Sequence, residues 1–187
     1  MEIPVIELFE IGALNNVALV TNPAIEEFFV TLSEDEKKVQ LAIADHEQRI
    51  VIGPALIPDK KIIRYDGETP YYIFFSKDTV RRIAEDFLRE GKIQSFNVQH
   101  QEDTNELYVT ESWIVENPEL DKSNALGMCV PTGTWMLAAK VTSDEIWERV
   151  KSGELRGFSI DGLFTTEATT KEDYVLSQIM EILKEVE

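Results

Sequence analysis

A chain of 187 residues, 43% hydrophobic and 28% charged, has room for one domain with a real core plus terminal extensions. Its 18 Lys and Arg against 35 Asp and Glu leave a net charge of −17, which repels phosphate backbones and argues against nucleic-acid binding. The acidic start "MEIPVIELFE" is unlike a secretory leader, and no apolar run nears the ~18 residues of a membrane span, so a soluble intracellular protein is expected.

Residues 1–38 read as an N-terminal arm and a charged loop, because "NNVALVTNPAI" mixes apolar residues with turn formers and "TLSEDEKK" is solvated. The main domain is placed at 39–168, opening with the strand-like "VQLAIA" (39–44). His46, in "IADHEQR", reads as a solvated histidine in a polar turn. "RIVIGPALI", "KIIRY" and "YYIFF" follow, punctuated by Pro54, Pro58 and Asp66–Gly67, as antiparallel strands joined by tight turns would be. Ser76 then caps a helix whose apolar stripe is Val80, Ile83, Ala84, Phe87 and Leu88, and Gly91 closes it.

"QSFNVQH" (94–100) and "ELYVTESWIVE" (106–116) both alternate with period two, and "GTWMLAAKV" (133–141) is another strand. Between them Cys129, the lone cysteine, has apolar neighbours in "GMCVP" and reads as a buried structural thiol; alone, it excludes an intrachain disulfide and a CxxC metal site. Thr142 and Glu145 form a T-x-x-E capping box for a short helix holding Ile146, Trp147 and Val150 and ending at Gly153. Trp113, Trp135 and Trp147 fall on core faces. "RGFSIDGLF" (156–164) alternates apolar Phe158, Ile160 and Phe164 with Gly157, Ser159 and Asp161. The segment 169–187 contains a helix whose Val175, Ile179, Ile182 and Val186 stripe requires burial on the sheet or on a partner, a second copy included.

Few side chains offer chemistry. His100 ends a strand whose alternate residues are Phe96 and Val98, and a near-neutral imidazole is the one obvious general base. Ser159 sits on the small, polar face of its strand, with Asp161 two residues on. Glu111 shares a face with Leu107, Val109, Trp113 and Val115, and a carboxylate among apolar residues needs a partner. It is a candidate to orient the imidazole, yet a simple hairpin of 94–100 with 106–116 leaves it four residues, at ~3.3 Å each, from His100. Asp161 is its rival. The chain carries no HExxH, paired-cysteine or calcium-loop pattern and no Gly-rich phosphate loop, so neither metal nor cofactor is expected.

In order along the chain, "VALVTNPAI", "VIGPALIPDKKIIR", "YYIFFS", "NVQH", "VTESWIVE", "DKSNALG", "GTWMLAAKV" and "GELRGFSIDGLF" resemble the XkdF-like phage serine proteases, relatives of the tailed-phage prohead proteases. The resemblance runs from about residue 15 to 165. It implies an α+β fold similar to the herpesvirus assembly protease, a mostly antiparallel, barrel-like sheet with a few packed helices. It also implies an endopeptidase working inside the immature capsid, in the bacterial host cytoplasm, on scaffold and major capsid protein precursors. The family's histidine matches His100 in "NVQH", and its serine matches Ser159 in "GFSIDG". The viral relatives use a second histidine or an acid as third member, and no histidine follows His100 here. Glu111 is then the first choice, Asp161 the second, unless the pair works alone. Gly157 and Gly162 would let substrate backbone approach, and Arg156 or a backbone amide would face the oxyanion. The competing expectation is a non-catalytic capsid-assembly or scaffold-binding domain that keeps the fold.

Overall fold

A computed structural model describes residues 3–10, 14–24, 30–32 and 48–166. The expected strand at 39–44, His46 and the helix of 170–187 lie outside these residues. In chain order the strands and helices are β1 (Val5–Glu7), β2 (Phe9–Glu10), β3 (Asn16–Val20), β4 (Val30–Leu32), β5 (Ile50–Leu56), β6 (Ile62–Asp66), β7 (Thr69–Phe74) and α1 (Lys77–Arg89). They continue with β8 (Phe96–Val98), β9 (Glu102–Thr104), β10 (Leu107–Ile114), α2 (Lys122–Ala125), β11 (Trp135–Val141), α3 (Asp144–Lys151), β12 (Gly157–Asp161) and β13 (Phe164–Thr165).

The chain is α+β with strands predominating, as expected, but among the described residues the strands do not close into a barrel. Among the described residues they form sheets of order β1-β7-β6, β10-β11-β5-β4 and β12-β3-β8-β9, with a small β13-β2 pair. Most neighbours are antiparallel; β1 with β7 and β3 with β8 are parallel. The sheets meet where β12 packs on β5. Pro54 lies inside β5 where the β11 register slips between Trp135 and Met136 beside it.

The arm expected over the first residues is not what forms at 16–20. "NVALV" is β3, an inner strand between β12 and β8, with Val17, Ala18 and Leu19 fully buried. A strand covered on both faces reads as a continuous apolar run rather than an alternation, and its turn formers lie just outside it. The core gathers Trp135, Leu137, Phe87, Phe96, Phe158 and Trp147, with Phe87 meeting Trp135 edge-on at 5.3 Å. Helix α1 starts where expected, since Ser76 Oγ accepts from Thr79 N–H at 3.4 Å, and Gly91 takes φ +69° beyond its end. Helix α3 is capped one residue later than expected. Ser143 Oγ, rather than Thr142, accepts from Ile146 N–H at 3.3 Å. Among the described residues no helix is long and apolar enough to cross a membrane.

One further expectation changes. Cys129 is exposed, because Met128 and Val130 on either side take the inward positions. Trp113 packs as expected, against the cluster of Ile52, Val115, Val130, Met136 and Ala138, but it is only half-buried and its indole edge joins a polar cluster. Its indole N–H reaches both carboxylate oxygens of Asp121, at 3.1 and 3.3 Å, and the Lys122 ammonium lies 3.7 Å from its ring centroid. Asp121 also caps α2, accepting Ser123 N–H at 2.8 Å. Partial burial pushes its carboxyl up, but hydrogen bonds from Ser123 and Trp113 and the charge of Lys122 prevail and hold it below its ordinary value.

A carboxylate with a lowered folded-state pKa contributes stability that is complete above the ordinary value of about 3.9 and disappears as pH falls through the lower one. We therefore predict that Asp121→Ala costs about 1 kcal/mol at neutral pH, as a lost cap does. The wild-type advantage should vanish on acidification below that window. A mutant equally stable at neutral pH in urea titrations would refute the role.

Candidate active site

Alternation along β12 sets the serine. Phe158 is wholly buried on the core face, so Ser159 emerges on the other, half-exposed and in register with Ala18 of β3. Ala18 in turn pairs with Asn97 of β8. Ser159, Ala18 and Asn97 thus form one row across the sheet, and Phe158, Leu19 and Val98 form the neighbouring row against the core.

Simple alternation would put His100 with Phe96 and Val98 on the core face, away from Ser159. The backbone breaks that pattern. Strand β8 stops at Val98, and Gln99 and His100 both take left-handed φ values of 57° and 58°. Gln101 N–H closes the turn on Val98 O at 3.1 Å, with the φ signature of a type I′ hairpin that ordinarily prefers Asn and Gly. This reversal brings the imidazole to the serine. His100 Nε2 lies 3.0 Å from Ser159 Oγ. The two residues come from either side of β3, across ~10 Å of sheet, and the methyl of Ala18 leaves the space between them open.

Left-handed backbone at two side-chain-bearing residues costs about 1–3 kcal/mol each and persists only if neighbours enforce it. Buried Asn97 supplies one constraint, its Oδ1 accepting His100 N–H at 3.1 Å. Gln99 supplies others: its N–H donates to Leu19 O at 2.9 Å, and its side-chain amide is bonded to both the backbone N–H and the hydroxyl of Thr21. Asn97, Gln99 and Thr21 were not among the residues singled out from sequence. An Asn three residues before a turn histidine, able to accept its N–H, is the signal that was there.

The acids fall elsewhere. Strand β10 pairs with β11 rather than with "NVQH", whose hairpin partner is β9. A bulge at Thr110, between Val109 and Glu111, also interrupts the shared face on which Glu111 was placed. Glu111 is exposed and ion-paired with Lys122, in a different sheet from His100. Asp161 does share the Ser159 face, half-buried opposite Asn16, but its carboxylate does not bond to the imidazole; Asn16 Nδ2 donates instead to Asp103 Oδ1, at 3.1 Å. Among the described residues His100 Nδ1 has no hydrogen-bond partner.

A model of the family described as "Putative phage serine protease XkdF" matches residues 38–168. The chain belongs to that family. Similar curated proteins include "Uncharacterized protein YqbD" of Bacillus subtilis strain 168, 28% identical over 158 residues, which cover 82% of this chain and 44% of that protein. "Phage-like element PBSX protein XkdF" of the same strain is 28% identical over 142 residues, 73% of this chain and 46% of the other. The chain therefore spans less than half the length of these two relatives. No solved structure matches it.

For this XkdF-family chain, the glycines beside the serine have internal duties. A Cβ on Gly162 would stand 2.8 Å from the Leu14 side chain, itself fully buried, so Gly162 admits core packing rather than substrate. Gly157 is buried in register with Val20. Arg156 folds back toward the end of α3, its Nε donating to Gly153 O at 2.7 Å.

Proposed function

We propose that this chain is a serine endopeptidase of phage assembly in which Ser159 is the nucleophile and His100 the general base. The observation that carries the reading is the 3.0 Å approach of His100 Nε2 to Ser159 Oγ, built by a strained turn. Membership of a family described as serine proteases supports the same class of reaction.

An uncharged imidazole with a lone pair on Nε2 accepts the serine proton as Oγ adds to the scissile carbonyl carbon. The imidazolium then returns that proton to the amine as the C–N bond breaks, leaving an acyl-serine. Water attacks the ester, gives a proton to Nε2, and the product carboxylate leaves with serine restored. The pair works as a dyad, held by the turn rather than by a third side chain, since Glu111 is committed to Lys122. The substrates we propose are scaffold and major capsid protein precursors, cut inside the procapsid in the host cytoplasm.

Co-expression with the cognate precursor, followed by intact-mass measurement, tests the reading. Defined precursor fragments are expected. Treatment with a fluorophosphonate should add one phosphonyl group, mapping to Ser159. Intact precursor and an unlabelled serine would leave a non-catalytic assembly domain, the reading favoured by the absence of an acid at His100 Nδ1 among the described residues.

A further inference from the structure

Ser159 and Asp161 hold alternate positions of β12, so both side chains leave the same face of the sheet, ~6.6 Å apart along the strand. The register carries that face across the neighbouring strands. Ser159 lines up with Ala18, Asn97 and Asp103, and Asp161 with Asn16. The backbone at this end of β12 is fixed: Asn15 N–H donates to Asp161 O at 2.8 Å, and a Cβ on Gly162, the next residue, would stand 2.8 Å from the Leu14 side chain. The carboxylate is not engaged. Asp161 is half-buried, and among the described residues its side chain makes no hydrogen bond and no ion pair. Asn16, across the ladder, gives its amide N–H to exposed Asp103 instead, and Arg156, the nearest cation in sequence, directs its Nε to Gly153 O.

We propose that Asp161 selects Lys or Arg in the peptide substrate, at one position no more than two residues from the scissile bond. The inference rests on Ser159 being the nucleophile. Spacing sets the position: in an extended peptide lying along β12 with its scissile carbonyl at Ser159 Oγ, residues recur every ~3.3 Å, so the second one toward Asp161 lies opposite that carboxylate. Reach agrees, since the long stems of Lys and Arg span from a peptide backbone to the sheet face beneath it. Chemistry then separates the residue classes. A partly desolvated carboxylate without a partner gains a charge-assisted hydrogen bond from an ammonium or guanidinium, whereas Glu or Asp at the same place meets like charge. Asp103, on the same face, adds to the field of that sign.

The test uses a random octapeptide library with the full chain at low ionic strength, where such a preference is least screened. Wild-type protein digests the library and the cut sites are mapped by mass; Ser159→Ala protein is used to retain uncut peptides from the same pool. We expect Lys and Arg at one position within two residues of the cut, about tenfold over Glu and Asp. Asp161→Glu should keep that preference, Asp161→Asn should erase it, and Asp161→Lys should turn it toward Glu and Asp. The loss in Asp161→Asn should fall on Lys and Arg peptides, whereas a residue that oriented His100 would slow every peptide alike. Ser159-dependent cutting with the same charge profile in wild type and Asp161→Asn, or a uniform slowing by Asp161→Asn, overturns the assignment and leaves the protease reading intact. Retention of Lys and Arg peptides that Asp161→Asn abolishes, with no cutting by wild type, upholds the subsite and overturns the protease reading. No cutting and no such retention overturns both.

Discussion

Ser159→Ala should lower precursor cleavage by on the order of 10⁴-fold or more while leaving the fold intact. The side chain is half-exposed, and its loss removes one hydroxyl and one hydrogen bond, a cost of about 1 kcal/mol rather than that of a core cavity. His100→Ala should fall to a similar floor. The double mutant should be no worse than either single one, because a nucleophile without its base and a base without its nucleophile fail at the same step. Additive losses, or a His100→Ala protein that still cuts at near wild-type rate, would remove His100 from the mechanism. Glu111→Gln provides a control, since its Lys122 pairing predicts near-normal activity.

The second large effect belongs to Asn97. Its side chain is 3% exposed, and its Oδ1 receives the N–H of the residue that carries the imidazole. Asn97→Ala leaves that N–H without its partner and frees a turn that is unfavourable by itself, so stability should drop by about 1–3 kcal/mol. The greater consequence is positional. A base displaced by 1 Å can forfeit about 100-fold in rate, so kcat should fall by that order while KM stays near its original value. Asn97→Asp keeps an oxygen at the acceptor position and should recover most of the kcat. If Asn97→Ala lost stability but kept kcat, the side chain would be structural and nothing more.

Much of this site could be read from residue order, and the part that could not has a definite cause. Period-two alternation put Phe158 inward and Ser159 outward, and β12 obeys it. The same rule applied to "FNVQH" sends His100 to the wrong face, because alternation assumes extended backbone and Gln99–His100 is left-handed. Nothing in Gln or His announces positive φ as Asn-Gly would; the local bond to Asn97 and tertiary bonds to Leu19 and Thr21 impose it. Glu111 went astray for a related reason, a one-residue bulge that resets the facing of a strand and leaves no local mark. Strand β3 was overlooked because a short run buried on both faces lacks the amphipathic signature that identified β10 and β12. The helices α1 and α3 were the easier case, since caps and apolar spacing are local properties.

Strand β3 also bears on where this protein can be divided. Its residues, 16–20, precede the segment 38–168 that defines the family match, yet they are the only described strand that hydrogen-bonds to both β12 and β8. Cutting the chain at the family boundary would keep Ser159 and His100 and discard the strand registered between them. Ser159 and His100 would remain in one polypeptide without a common frame. The folded unit that sets the Ser159–His100 distance is therefore longer than the matched segment, and Asn16–Val20 act as the template on which β12 and β8 are registered.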